Sequence, residues 1–160
     1  KKCLGFEMEV YVYDPFVDKK TIESFGGKKV SNLDDGLKVT DILSLTVPLN
    51  KETNNMINMK KMKMMKKTSI IINISRGGVV NEKDLNEALE KEIIYGAGLD
   101  VFEKEPPGDE NPLLKNKKVL LSPHAATFTK ECLSDMAIQT AQNIIDFFDD
   151  KLSDSMIVKL

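Results

Sequence analysis

Asn73-Ile74-Ser75-Arg76-Gly77-Gly78-Val79-Val80 follows directly on Thr68-Ser69-Ile70-Ile71-Ile72, and the two pieces together decide the fold. A β-branched run without polar alternation is the pattern of a strand buried on both faces. Gly77-Gly78 then turns the chain toward a helix over 81–92, which Asn81 caps and which carries Leu85, Ala88 and Leu89 as an apolar stripe. A side chain at that junction sits at the carboxyl end of a central parallel strand, where ligands of open α/β sheets collect. The side chain there is Arg76, the only arginine among 23 basic residues. Its planar fork binds a carboxylate with two hydrogen bonds where an ammonium would offer a point charge. A surface salt bridge is the plainer reading of the same residue.

Working outward, alternating strands and helices continue in both directions. Toward the start, 41–47 reads as a buried-type strand ending at Pro48, 32–38 as a helical turn or two, and 29–30 as a brief edge strand. Residues 19–25 form a short helix closed by Gly26-Gly27, and 7–13 an alternating strand that Asp14-Pro15 terminates. Between the two buried strands, 51–67 carries Met56, Met59, Met62 and Met65 at a spacing of three among lysines. Such a helix packs its methionines on a sheet and leaves its lysines in water; the rival reading is a basic helix for a membrane or acidic partner. Toward the end, 93–100 is a strand in which Gly96 and Gly98 allow close backbone approach, and 118–121 another, ended by Ser122-Pro123-His124. A long helix over 129–149 has the apolar spacing of one packed on a core. The fold class is therefore α/β, a doubly wound parallel sheet. Lys1 to Phe6 reads as the end of a helix closed by Gly5, so the chain looks like a fragment.

Composition narrows the function. A net charge of −2 offers no basic face for nucleic acid. No apolar segment approaches the roughly 20 residues of a membrane span, and no signal peptide is recognised. Cys3 and Cys132 make neither a disulfide framework nor a metal cluster, which points to a reducing cytoplasmic setting.

Three groups follow the carboxyl ends of three strands: Arg76, Glu105 and His124. His124 is the only histidine, so an imidazole acid/base step near neutral pH must use it, although a lone histidine is also a common structural residue. Glu105 can orient the ring and stabilise its charge, and Arg76 can clamp a substrate carboxylate. Asp100, on the same edge, can meet a polar cofactor group. Asp14 can accept the hydroxyls of an adenine ribose and repel the phosphate of NADP, or it can simply end a strand.

The motifs at 47–49 (Val-Pro-Leu), 73–80, 96–106 (Gly-Ala-Gly-Leu-Asp-Val-Phe-Glu-Lys-Glu-Pro) and 122–127 (Ser-Pro-His-Ala-Ala-Thr), in this order, closely resemble the cofactor domain of the D-isomer-specific 2-hydroxyacid dehydrogenases. That family includes D-3-phosphoglycerate dehydrogenase, D-lactate dehydrogenase and hydroxypyruvate reductase. The resemblance implies a Rossmann-like NAD-binding domain over 1–150, and over 151–160 a return segment toward an absent substrate domain. It implies Arg76 on the substrate carboxylate and carbonyl, His124 as proton donor or acceptor, and Glu105 as its partner. It implies Asp14 at the adenine ribose, with Val47, Pro48 and Thr53 along the adenosine side. Ile74, Ser75 and Asp100 are expected at the nicotinamide, with Ala125 and Ala126 nearby.

The family's G-x-G-x-x-G loop lies about 20 residues before the acidic ribose ligand. Asp14 is too close to the start for that loop, or for the first strand, to be present. Relatives that oxidise formate carry glutamine where Glu105 stands, which argues against that reaction. The implied function is hydride transfer between NAD and a small 2-hydroxy or 2-keto acid in a homodimer. The alternatives are an NADH-sensing transcriptional co-regulator of the C-terminal binding protein type, or a fragment inactive by itself.

Overall fold

The computed structural model describes residues 1–157; residues 158–160 of the expected return segment lie outside the described residues. Among the described residues six strands and six α-helices follow in the order α1 (Lys2–Gly5), β1 (Tyr11–Val12), α2 (Lys19–Ser24), β2 (Lys28–Lys29), α3 (Leu33–Val39), β3 (Ile42–Leu45), α4 (Met59–Met62), β4 (Ile70–Asn73), α5 (Glu82–Glu90), β5 (Gly96–Leu99), β6 (Val119–Leu121) and α6 (Lys130–Phe148), with a 3-10 turn at Pro112–Lys115 between β5 and β6. All pairings are parallel. They make two sheets, β1-β2 and β3-β4-β5-β6.

Side-chain caps set the helix starts. Asp18, Asn32, Asn58, Asn81 and Thr129 each accept an N–H of the first turn, satisfying donors that have no intrahelical acceptor. The core of the larger sheet joins Leu45, Ile71, Ala97 and Leu99 to Ile57, Met62, Leu85 and Leu89 from the helical side. Helices α3, α4 and α5 contact one another in series over that face. Along β4, Ile71 and Asn73 are buried while Ile70 and Ile72 are half-buried, so the burial expected on both faces is complete on one.

Three other expectations change. The methionine helix contracts to α4, because the Asn50 side chain accepts the N–H groups of Glu52 and Thr53 in a turn. Asn55 then adopts φ 52°, and Ile57 pairs with Val80 in an extended bridge. Met62 and Met65 are buried nonetheless, in accord with the packing reading. Gly5 lies inside α1; Glu7 takes the left-handed conformation instead, at φ 58°. Helix α6 forms as expected but buries no side chain, and Leu133, Met136, Ile144, Ile145 and Phe148 are exposed. It belongs to a second compact unit, Ala125–Leu160, distinct from Lys1–His124.

Candidate active site

Register brings three strand ends level. Asn73 lies opposite Leu99, and Leu99 opposite Leu121, so the loops after β4, β5 and β6 leave the sheet side by side.

The loop after β4 is shaped by Asn73, which is buried. Its side-chain oxygen accepts the Ser75 N–H at 3.1 Å and the Ser75 hydroxyl at 2.9 Å, and its amide donates to the Arg76 carbonyl at 3.0 Å. Gly77 then passes against the next loop: a Cβ there would stand 1.8 Å from the Phe102 carbonyl oxygen. Only glycine permits that approach. Gly78 follows at φ 81°, a conformation that also favours glycine. Ile74 is exposed, and Arg76 is exposed with Nη1 donating to the Ser75 carbonyl at 2.7 Å.

In the loop after β5, Asp100 is buried and accepts the Ser122 hydroxyl. Glu105 folds back so that Oε1 accepts the Phe102 N–H at 3.0 Å. The Glu105–Pro106 peptide is cis. After β6, His124 takes φ 53°, uncommon for a residue with a Cβ, and its Nδ1 meets Glu105 Oε2 at 2.7 Å. A carboxylate only accepts, so Nδ1 carries the proton and Nε2 is the nitrogen left for exchange. The His124 hydrogen bond, then the Phe102 N–H and, more weakly, the Arg76 charge hold the Glu105 carboxyl below the usual carboxylate range. Asp100, Phe102, Glu105, Leu121, Ser122 and His124 share the walls of a cavity of about 490 Å³.

The structure thus joins Glu105 to His124 directly, places Asp100 in the same cavity, and leaves Arg76 close enough for its charge to reach Glu105. Asp14 ends the short β1 pair, where its Oδ1 accepts the N–H groups of Phe16 and Val17 at 2.8 and 3.1 Å. Thr53 donates its hydroxyl to the Pro48 carbonyl at 2.6 Å, and Val47 packs against the core. Their sequence neighbours Tyr13 and Glu52 line a second cavity of about 510 Å³ with polar walls that include Asn32, Asn55 and Lys61. Ala125 and Ala126 open the second unit, where the Ala125 carbonyl accepts the Phe128 N–H at 2.9 Å.

Sequence reasoning missed two residues that set this geometry. Asn73 ends a run of apolar side chains, and a polar residue in that buried position was the available signal. Ser122, the hydroxyl partner of Asp100, had no signal, because only register places its strand end beside β5.

An open parallel α/β sheet with an imidazole–carboxylate pair on its carboxyl edge has the architecture of an α/β domain that binds ligands at its strand ends. Residues 1–126 match the family described as D-isomer specific 2-hydroxyacid dehydrogenase, NAD binding domain, and the chain belongs to that family. It is 42% identical over 147 residues to a glyoxylate reductase of Korarchaeum cryptofilum, a match covering 92% of this chain and 44% of that protein. It is 40% identical over 146 residues to a D-3-phosphoglycerate dehydrogenase of Archaeoglobus fulgidus, covering 91% of this chain and 28% of that one. Among solved structures, the NAD-complexed D-isomer specific 2-hydroxyacid dehydrogenase of Lactobacillus delbrueckii ssp. bulgaricus superposes with TM-score 0.83 at 28% identity over 97% of this chain and 50% of its own. A D-lactate dehydrogenase of Aquifex aeolicus, complexed with NAD and lactic acid, gives 0.80 at 32% identity over 92% of this chain and 48% of its own. The chain therefore spans half or less of each of these relatives. The fold is of the Rossmann type, and the cofactor of the family's domain is NAD. Among the described residues no helix is long and apolar enough to cross a membrane.

Proposed function

We propose that the whole protein interconverts a small D-2-hydroxy acid and its 2-keto acid with NAD. The observation that carries this reading is the Glu105–His124 contact of 2.7 Å, on the strand edge of a chain whose family binds NAD. Relatives named glyoxylate reductase and D-3-phosphoglycerate dehydrogenase support a small acid as the substrate class.

The residues present suit the two ends of the dinucleotide. Asp14 is a carboxylate at a strand end suited to ribose hydroxyls, with Val47, Pro48 and Thr53 lining the adenosine side. Ile74, Ser75 and Asp100 are the residues for the nicotinamide end. When bound, the cofactor supplies or accepts the hydride. In reduction, His124 delivers its Nε2 proton to the carbonyl oxygen while Glu105 accepts the Nδ1–H and steadies the ring. Arg76 turns from Ser75 to grip the substrate carboxylate and polarise the carbonyl, contributing orientation and charge stabilisation. A cytoplasmic homodimer is the setting the family resemblance implies, and sedimentation of the full-length protein checks the dimer.

The test is NADH oxidation by the full-length protein against glyoxylate, hydroxypyruvate, pyruvate and a phosphorylated 3-carbon keto acid. Turnover with at least one is expected. Arg76→Lys should raise the keto-acid KM by roughly 10- to 100-fold, the size of a lost charged hydrogen bond. Absence of turnover with all four acids would overturn the reading.

A further inference from the structure

Two carboxylates beside the site take no part in the steps above. The Glu103 N–H donates to Glu82 Oε1 at 2.5 Å, and the Glu82 N–H donates back to Glu103 Oε1 at 3.2 Å. Glu82 Oε2 also accepts the Asn111 amide at 2.7 Å. Glu82 is the first residue of α5, where a backbone N–H has no intrahelical acceptor and negative charge is favoured. The exchange therefore satisfies the helix start and ties it to the loop after β5.

That tie bears on one peptide. The Phe102–Glu103 unit is packed against Gly77 and has its N–H in the Glu82 carboxylate. The Phe102 N–H is in turn the donor that fixes Glu105 Oε1, and Glu105 Oε2 is the partner of His124. The peptide lies between that N–H, which belongs to the preceding peptide, and Glu105, so if it turns the chain beyond it swings, Oε1 leaves the Phe102 N–H and Glu105 regains its rotamers. A glutamate with three side-chain torsions then has only the imidazole to hold it.

We propose that Glu82 and Glu103 are positioning residues for the acid/base pair, holding the 102–105 turn so that Glu105 addresses His124. This rests on the reading of Glu105 and His124 as the proton-transfer pair. The effect runs through hydrogen bonds to one oxygen of each carboxylate, so an amide oxygen in place of either keeps the exchange, although Glu82→Gln gives up the bond from Asn111.

The test uses the full-length protein and the keto acid it turns over fastest. Glu82→Ala and Glu103→Ala should each lower kcat about tenfold, within the ~10²-fold that a misplacement of ~1 Å can cost, with KM for NADH unchanged. Glu103→Gln should restore most of it, and Glu82→Gln less, because its NH2 cannot accept the Asn111 amide. In a Glu105→Gln background, Glu103→Ala should add less than about twofold, because residues acting as one unit are not additive. Should Glu82→Ala fail to fold, Glu103→Ala, on an exposed side chain, carries the test. If Glu105→Gln lowers turnover and Glu103→Ala multiplies fully upon it, or leaves kcat at the wild-type value, the positioning role is overturned alone. If Glu105→Gln leaves turnover unchanged, the acid/base reading falls and this one with it.

Discussion

The carboxyl edge of the four-stranded sheet and that of the two-stranded sheet carry the two ends of one proposed cofactor site, yet they are built differently. At β4–β6 the loops are bound to one another: Gly77 lies against Phe102, Ser122 donates to Asp100, and Glu105 meets His124. At β1, Asp14 sits in a local turn whose hydrogen bonds reach only to Phe16 and Val17. The core cluster follows the same division, drawing its buried members from Leu37 to Leu113, while Ile22 is buried outside it. The proposed proton transfer needs two groups held within hydrogen-bond reach, which the cross-bracing of this edge provides. The proposed ribose contact needs one acceptor at a strand end, for which a local turn is enough.

The strongest way to break this comparison is His124→Ala in the full-length protein. Turnover should fall by roughly 10²–10⁴, the usual loss of a general acid/base, with NADH affinity measured by fluorescence nearly intact. Unchanged turnover would remove the chemistry from the four-stranded edge. Next in size is the stability contrast between like deletions: Leu85→Ala in the larger core should cost more than Ile22→Ala in denaturant unfolding, within the about 2–5 kcal/mol of such truncations. Equal losses would mean that the β1-β2 region is as firmly packed as the larger core. Asp14→Ala should raise the NADH KM by roughly 10- to 100-fold, as expected for lost charge-assisted hydrogen bonds, and leave kcat alone. A fall in kcat with KM unmoved would blur the division between the two ends.

The smallest effect is in pH. The Glu105 carboxyl lies below its ordinary value in the folded protein, chiefly through His124, so its stabilising contribution is present above the unfolded carboxylate value of about 4.3 and is lost as pH falls through the folded one. The unfolding midpoints of wild type and Glu105→Gln should therefore converge in acid. The difference is modest because both side chains are more than a third exposed, at 49% for His124 and 37% for Glu105. A gap that widens toward acid would contradict the sign.

Much of the chain was legible without coordinates. Strand β4 announced itself by its β-branched run and the start of α5 by its Asn81 cap, because both signals are local. The helix over 51–67 was misread because methionine spacing describes which side chains are buried and not the backbone that buries them. Asn50 and Asn55 shaped turns there, and Ile57 crossed to Val80. Helix α6 shows the opposite limit: its apolar spacing matches that of a packed helix, yet no side chain of it is buried.

The sequence by itself determined the kinds of groups available: one histidine, one arginine, and carboxylates at 100 and 105 near the ends of apolar runs. Tertiary structure alone decided which of them meet. Glu105 and His124 are 19 residues apart and come together because parallel register levels β5 with β6 and a left-handed turn closes the second loop. Spacing along a chain says nothing of distance across a sheet. The pairing of Glu82 with Glu103, 21 residues apart, was invisible for the same reason, since two like charges meet there only through each other's backbone amides.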